Sequence, residues 1–526
     1  MTEFWRRCGR CWGNLLNCRQ ILIFRDGTPQ LYNFMKKALP ACFVLAFSLF
    51  YGQAQKKVLG YPFQFEKSFL AKGNYNALFL DNPDDSAFAL VLIDNKKVEY
   101  VWLSKAFKVI GKVSAPIGNT ILDQSMHRYM GGTAKGSVYH FIYKLKSGYD
   151  METVDFNGQV VSNKKILELP DNEHLLASFS DHNVYYSIAA DDKAGQVVLH
   201  IVNADGELSQ QNLAFPIPEN ADKHKISEYL AGLKVIKSGE DPELSVAVNN
   251  TKLFSRPGDL SIVVNKADMP TQIFSIKLGN FATRDQHIDY GSLIAKEDRG
   301  KVYISSFLKD SVLYSLILNK KSIRIAIHAL PEGRLLNKFE FTDDAGFDLL
   351  AETPITEKRI GKQVEAKDVD ELKKVIRVFT KGTEGLMVAQ MESGKLVLTA
   401  GTYDMVKVSS GTSGAHMPDM PEIHMEPEGA AGMVPFWTTR PGTPIYTTPS
   451  ARYYTTTYFR MLLDPVTFKV TRGQVRRPVA DQIKDYIDDT DMRSKAKNQF
   501  AIGKNQYYGF YDRDAEQYVV EQIRIF

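Results

Sequence analysis

From residue 75 onward the chain repeats one pattern: short runs rich in Val, Ile, Phe and Tyr, continuous or alternating with polar residues, each broken by Asp, Asn, Gly or Lys. Apolar residues at every second position fill one face of a strand, and a polar cluster between two such runs closes a hairpin. The pattern predicts one hairpin over Phe88 to Ile93 and Val98 to Leu103, and another over Gln196 to Val202 and Glu207 to Phe215. It also predicts four consecutive antiparallel strands over Lys301 to Phe307, Ser311 to Leu318, Ser322 to His328 and Arg334 to Phe341. Helical spacing interrupts the strands three times. Ala221 to Val235 carries Ile226, Tyr229, Leu230 and Leu233; Asp368 to Val378 carries Val369, Leu372, Val375 and Ile376; and Pro478 to Ile487 opens with proline at a plausible first helical position.

The main hairpin turns fall at Asp94, Ser147, Asn203, Ala267, Pro331, Ser393, Asp464 and Asp512, a spacing of roughly 50 to 70 residues that signals a repeat architecture. A unit of about four strands cannot bury both faces alone and must pack on its neighbours around a common axis. The chain is therefore read as all-β and resembles a single β-propeller of seven or eight blades, with short helices on the loops between blades. The resemblance rests on strand spacing, since the sequence carries no tryptophan-aspartate dipeptide, kelch glycine pair or aspartate box. The alternative is a tandem of β-sandwiches, which would place a linker near the middle of the chain. Closure of a propeller pairs strands from the two ends: the last run ends at Phe526 within a strand, and Tyr61 to Phe69 and Ala77 to Leu80 are candidates to complete its sheet.

The first 54 residues stand outside this rhythm. Lys36 and Lys37 precede an apolar run from Ala38 to Phe50, followed by Gly52-Gln53-Ala54, the three parts of a secretory signal peptide with an apolar region too short to span a bilayer. Cleavage is expected after Ala54, with Met35 as the start of the signal and residues 1–34 as an upstream extension outside the fold. All four cysteines (Cys8, Cys11, Cys18, Cys42) precede that site, so the exported domain, 55–526, has neither thiol nor disulfide and depends on its core. It has no transmembrane segment. With 65 basic and 61 acidic residues interspersed, the chain shows no electrostatic footprint for nucleic acid.

Catalytic templates are missing: there is no Gly-x-Ser-x-Gly elbow, His-Glu-x-x-His pair or phosphate loop. Aspartate pairs recur mostly between strands, where aspartate is the ordinary turn former. The group Asp488, Asp489 and Asp491, three carboxylates in four positions after a helix, is the candidate for a calcium ion. The stretch 409–460 is an insertion in the sixth repeat. It holds His416, Met417, Met420, His424 and Met425, and imidazole with thioether is the ligand set copper prefers. The competing reading is a loop whose methionines rest on apolar surface. Trp437, Tyr446, Tyr453 and Tyr454 in the same insertion are candidate contacts for a glycan or protein, although threonines alternating with tyrosines also make good strand chemistry.

These features point to an exported, non-enzymatic binding or scaffold protein that engages a protein or glycan partner through its loop-bearing face. The alternatives are an extracytoplasmic hydrolase with carboxylates in the central funnel, and copper binding by the His/Met-rich loop.

Overall fold

The computed structural model describes residues 55–65, 77–94, 96–117, 128–145, 148–218, 225–237, 240–266, 269–294, 302–342, 347–360, 363–391, 393–407 and 452–475, then 479, 482–483, 486–487, 495–503 and 505–525. The chain divides into two units, Met1–Lys56 and Lys57–Phe526; the fold concerns the second, and its first strand, Gln55–Pro62, starts two residues before that division. The upstream extension and the signal peptide at 35–54 lie outside the described residues.

Among the described residues, seven separate sheets succeed one another, spanning 77–116, 128–168, 173–214, 234–288, 303–342, 355–463, and 495–523 joined by 55–62. Five hold four strands and two hold five. Their first strands meet in series: Lys495–Ile502 touches Ala77–Asn82, which touches Arg128–Lys135, which touches Glu173–Asp181, and Tyr303–Lys309 touches Glu384–Gln390. Sheets of this form, packed in sequence order with their first strands together, are the blades of a β-propeller, and the described residues form seven of them. The tandem-sandwich alternative fails on the same observation, because no two sheets pair off as an independent core.

Position within a blade explains the two sequence patterns. Middle strands lie between neighbouring blades and are buried on both faces, so Ala87–Ile93 is buried throughout and reads as one apolar run. Outer strands have one wet face: in Val109–Pro116 only Val113 and Ala115 are buried. The seams between blades are aromatic. Phe79 and Phe500 stack with ring centroids 3.7 Å apart where blade 7 meets blade 1, and Tyr100, Tyr139, Phe141 and Phe156 fill the seam of blades 1 and 2.

Ring closure is by the chain ends, with a shift from the expected strands. Gln55–Pro62 forms the outer strand of blade 7 beside Gln517–Ile523, whereas Ala77–Asn82 is the first strand of blade 1. Of the predicted helices, Leu372–Phe379 buries Leu372, Val375, Ile376 and Phe379, an i, i+3, i+4, i+7 stripe. Among the described residues, the stretch read as helix over Ala221 to Val235 holds the single turn Ile226–Tyr229 before it becomes a strand at Lys234–Lys237. Gly232, with φ of 76°, separates the two.

Alternation of strands gives the ring two unlike faces. First-to-second and third-to-fourth turns lie on one, the turn face; second-to-third turns and the connections between blades lie on the other, the loop face.

Candidate functional site

The axis is the place where a propeller usually offers a site, and here the chain enters it. After blade 3, Lys234–Lys237 pairs in parallel with the start of blade 4, Lys234 opposite Lys252 and Lys237 opposite Ser255, and so adds a fifth strand inward of the four antiparallel ones. It descends from the loop face along the first strand of blade 4, and at its foot Asp241 lies near Lys309; burial nevertheless pushes the Asp241 carboxyl up. The chain then returns to the loop face and forms the single turn Leu244–Ala247, which packs on blade 6. Gly385 and Gly401, opposite one another in the blade 6 ladder, make its seat. A Cβ at Gly385 would lie 2.8 Å from Val248 Cγ1 and 2.9 Å from its backbone nitrogen, and one at Gly401 would lie 2.8 Å from Leu244. Glycine is used there for close approach.

Beneath this plug sits Lys252, completely buried. Its Nζ donates to Ser305 Oγ at 3.2 Å and to the Ser306 carbonyl at 3.0 Å, and Ser305 Oγ donates to the Ala247 carbonyl at 3.4 Å. Burial pulls the ammonium down to about 7, and the Glu384 carboxylate opposes that shift. Lysine beside serine is a pairing that can activate a hydroxyl, but here both groups tie blades 4 and 5 to the plug and are sealed from solvent by it. Carboxylates on other first strands are likewise engaged: Glu173 receives His200 Nε2 at 3.0 Å, and Asp181 receives the hydroxyl of Ser255 and His182 Nδ1. Among the described residues no group of three or more His, Cys, Asp or Glu is placed to hold a metal ion.

Two features stand on the loop face away from the axis. One is an open pocket of about 580 Å³ at the seam of blades 7 and 1, lined by Phe63, Gln64, Lys97, Glu99, Lys112 and Glu516. Glu99 is held by the Tyr61 hydroxyl, by Lys97 Nζ at 3.3 Å and by Ser114 Oγ at 3.4 Å, and burial followed by Glu99 itself raises the Tyr61 phenol. The pocket mixes both signs of charge and resides in residues the sequence patterns did not single out, because they join only when the two chain ends meet.

The other is the stem of the blade 6 insertion. Leu396–Lys407 and Arg452–Leu463, each 12 residues, pair over their whole length. Glu384–Gln390 flanks the first only from Leu396 to Thr402, so the stem continues beyond it. A hairpin from earlier in the chain, Ile355–Ile360 with Gln363–Asp368, pairs with Tyr453 to Tyr458 and braces that projecting part. The insertion is therefore shorter than expected, since 452–463 is strand. Tyr454 belongs to it and stacks on Tyr403 at 5.4 Å; Tyr453 pairs with Ile360 and Val406. His416, Met417, Met420, His424, Met425, Trp437 and Tyr446 lie outside the described residues, as do Asp488, Asp489 and Asp491.

No family model matches the sequence, and no curated protein matches it. Among solved structures, the chain is similar to the β-propeller domain of Nup133 from Vanderwaltozyma polyspora, at 10% identity and a TM-score of 0.30 over 89% of this chain and 99% of that one. It is similar to the β-propeller domain of the trilobed protease from Pyrococcus furiosus, at 7% identity and a TM-score of 0.27 over 85% and 93%. A prolyl endopeptidase structure matches at 8% identity and a TM-score of 0.29 over 84% of this chain, which spans 46% of that one. The assignment of the fold rests on the sheets themselves.

Proposed function

We propose that this is an exported, non-enzymatic binding or scaffold protein that recognises a protein or glycan partner through its loop face, with the blade 6 insertion as the recognition element. The observation that carries the reading is the braced stem. Two 12-residue strands supported by a second hairpin anchor both ends of the insertion, and a binding segment on a rigid support loses less freedom on engagement. The plugged axis supports the same reading, because a substrate funnel needs open depth. Export rests on the segment Met35 to Ala54.

The experiment compares the full chain with a variant in which 408–451 is replaced by Asn-Gly between Lys407 and Arg452. Both are tested on a glycan array and against surface proteins by proximity cross-linking in the producing cell, with fractionation to locate the chain. The expected result is an extracytoplasmic protein whose partner signal disappears in the variant while its melting temperature is kept. Unchanged binding without the insertion, or retention of the full chain in the cytoplasm, would sink the proposal.

A further inference from the structure

The turn face carries an apolar pattern that the fold does not use. Of the seven exposed large aliphatics among the described residues, six lie at one structural position: Val109 and Ile110, Val160, Leu208, Leu335 and Val466, between 37% and 81% exposed. Each sits in, or just after, the reversal that follows the third strand of blades 1, 2, 3, 5 and 6. Those reversals share a geometry. A residue with φ between 55° and 76° precedes the fourth strand in blades 1, 2, 3 and 5 (Phe107, Gln159, Gly206, Gly333), and Phe468, at 55°, closes the equivalent turn of blade 6. The aliphatic tips therefore recur at one level around the rim. The seventh, Val364, lies at the loop-face end of its hairpin.

Several polar groups between them are already engaged. Lys135 pairs with Asp205 at 2.6 Å across blades 2 and 3, Asn183 binds Asp84 and both backbone groups of Ala134, and Arg284 donates to the Pro331 carbonyl at 3.1 Å. Charges of both signs stand in the same turns, Lys105 and Lys108 in blade 1, Asp205 and Glu207 in blade 3, Glu332 and Arg334 in blade 5. Carboxylates distributed around the rim disfavour an anionic lipid surface, and no single sign is offered to a charged partner. A surface with the same ring, the same spacing and balanced charge would match it. A two-fold axis in the plane of the ring brings that surface from another copy, which is the isologous arrangement usual in homodimers.

We infer that the turn face is a self-association surface, through which two copies of this chain meet rim to rim and bury these aliphatic tips while leaving both loop faces outward. The inference is independent of the partner reading of the loop face.

Sedimentation velocity of the full chain across a wide concentration range tests it, alongside Val160→Asp with Leu208→Asp, Val466→Asp, and Val364→Asp as the loop-face control. Because all four positions are exposed, circular dichroism and melting should match the parent. Expected is a concentration-dependent dimer whose association weakens about tenfold or more with a rim aspartate, which would sit desolvated in the contact, and is unchanged with the control. A parent chain that is monomeric throughout, or a dimer indifferent to the rim substitutions, would overturn the inference. So would co-sedimentation of the monomer with phosphatidylglycerol vesicles that the rim aspartates abolish, since that assigns the tips to lipid.

Discussion

On the turn face, blades 2 to 5 reverse from first to second strand in two residues each, and Asn183 in the blade 3 turn ties that blade to Asp84 and Ala134 of the two blades before it. On the loop face, most connections between blades run longer, and the chain dives into the axis at Lys234–Lys237, returns at Leu244–Ala247 and projects the stem of blade 6. Both faces are made by the same strands, so the difference lies in where extra residues were admitted. Insertions on the turn face would break the inter-blade bonds of tight turns; on the loop face they meet open space and an axis able to take a strand. The lesson is that the ring is held rigid from one side and elaborated from the other, which is how a scaffold can carry variable loops.

The largest expected effect tests whether the plug is a fixed part of the core. Lys252 releases its proton in the folded state above about 7, whereas the unfolded chain keeps it to the ordinary lysine value of 10.5. The unfolded state thus binds more protons in that window, and stability should rise with pH from 7 toward 10. The full shift corresponds to roughly 5 kcal/mol. Above pH 10 the slope should reverse, because burial holds Tyr149, Tyr186 and Tyr229 up at about 12, so the folded chain keeps protons that the unfolded chain loses. Lys252→Met should flatten the rising limb and leave the falling one. Urea midpoints measured across this range check it, and equal slopes in parent and variant would mean that Lys252 is reached by water and the axis is open.

Gly385→Val is next. Its side chain would meet the backbone of Ala247 and Val248, and the overpacking should cost about 3 kcal/mol, read as a lowered denaturant midpoint. A neutral result would show that the turn Leu244–Ala247 leaves its seat freely, turning the plug into a movable element and weakening the contrast between faces.

On the turn face, Asn183→Ala should cost about 2 kcal/mol. It removes the amide that accepts from Ala134 N at 2.7 Å and donates to its carbonyl at 2.5 Å, and it places alanine where φ is 61°. Asn183→Gly relieves the backbone and loses the same bonds, so the difference between the two variants isolates the strain. If both were neutral, the tight turns would not be what stiffens that side.

Much of the ring was legible because blade burial writes itself into sequence: Ala87–Ile93 is apolar at every position and Val109–Pro116 is not. The turns repeat in backbone but not in residue type, since Phe107, Gln159, Gly206, Phe281 and Gly333 adopt one conformation; only two are glycine, so no motif marks the blade. The approach to the plug was read as one helix over Ala221 to Val235 because Ile226, Tyr229, Leu230 and Leu233 do keep helical spacing and are all buried, although the helix ends after the turn Ile226–Tyr229 and a strand begins at Lys234. The seam pocket joins residues more than 400 positions apart, as Gln64 bonding Glu516 at 2.6 Å illustrates, and nothing local in either stretch announces the other. The blade 6 brace was hidden for a related reason: Ile355–Ile360 precedes the strands it supports and pairs with a partner about 100 residues later.

The smallest effect bears on the stem. Tyr403 and Tyr454 stack across the paired strands with an interplanar angle of 27°, beyond the last residue that Glu384–Gln390 covers. Both are half-buried, and burial raises the Tyr403 phenol, so the pair stiffens the stem where fewer strands support it. Tyr454→Ala should cost about 1 kcal/mol, hardly moving the global midpoint while hydrogen exchange quickens locally at Thr455 to Thr457 and at Tyr403 and Asp404. The brace hairpin decides between two outcomes. If exchange quickens only there, the stem is an independent rigid support for 408–451, and partner binding should weaken in proportion to its loosening. If exchange instead quickens throughout blade 6, the stem is continuous with the ring core, and the loop face would be no more separable from the scaffold than the turn face is.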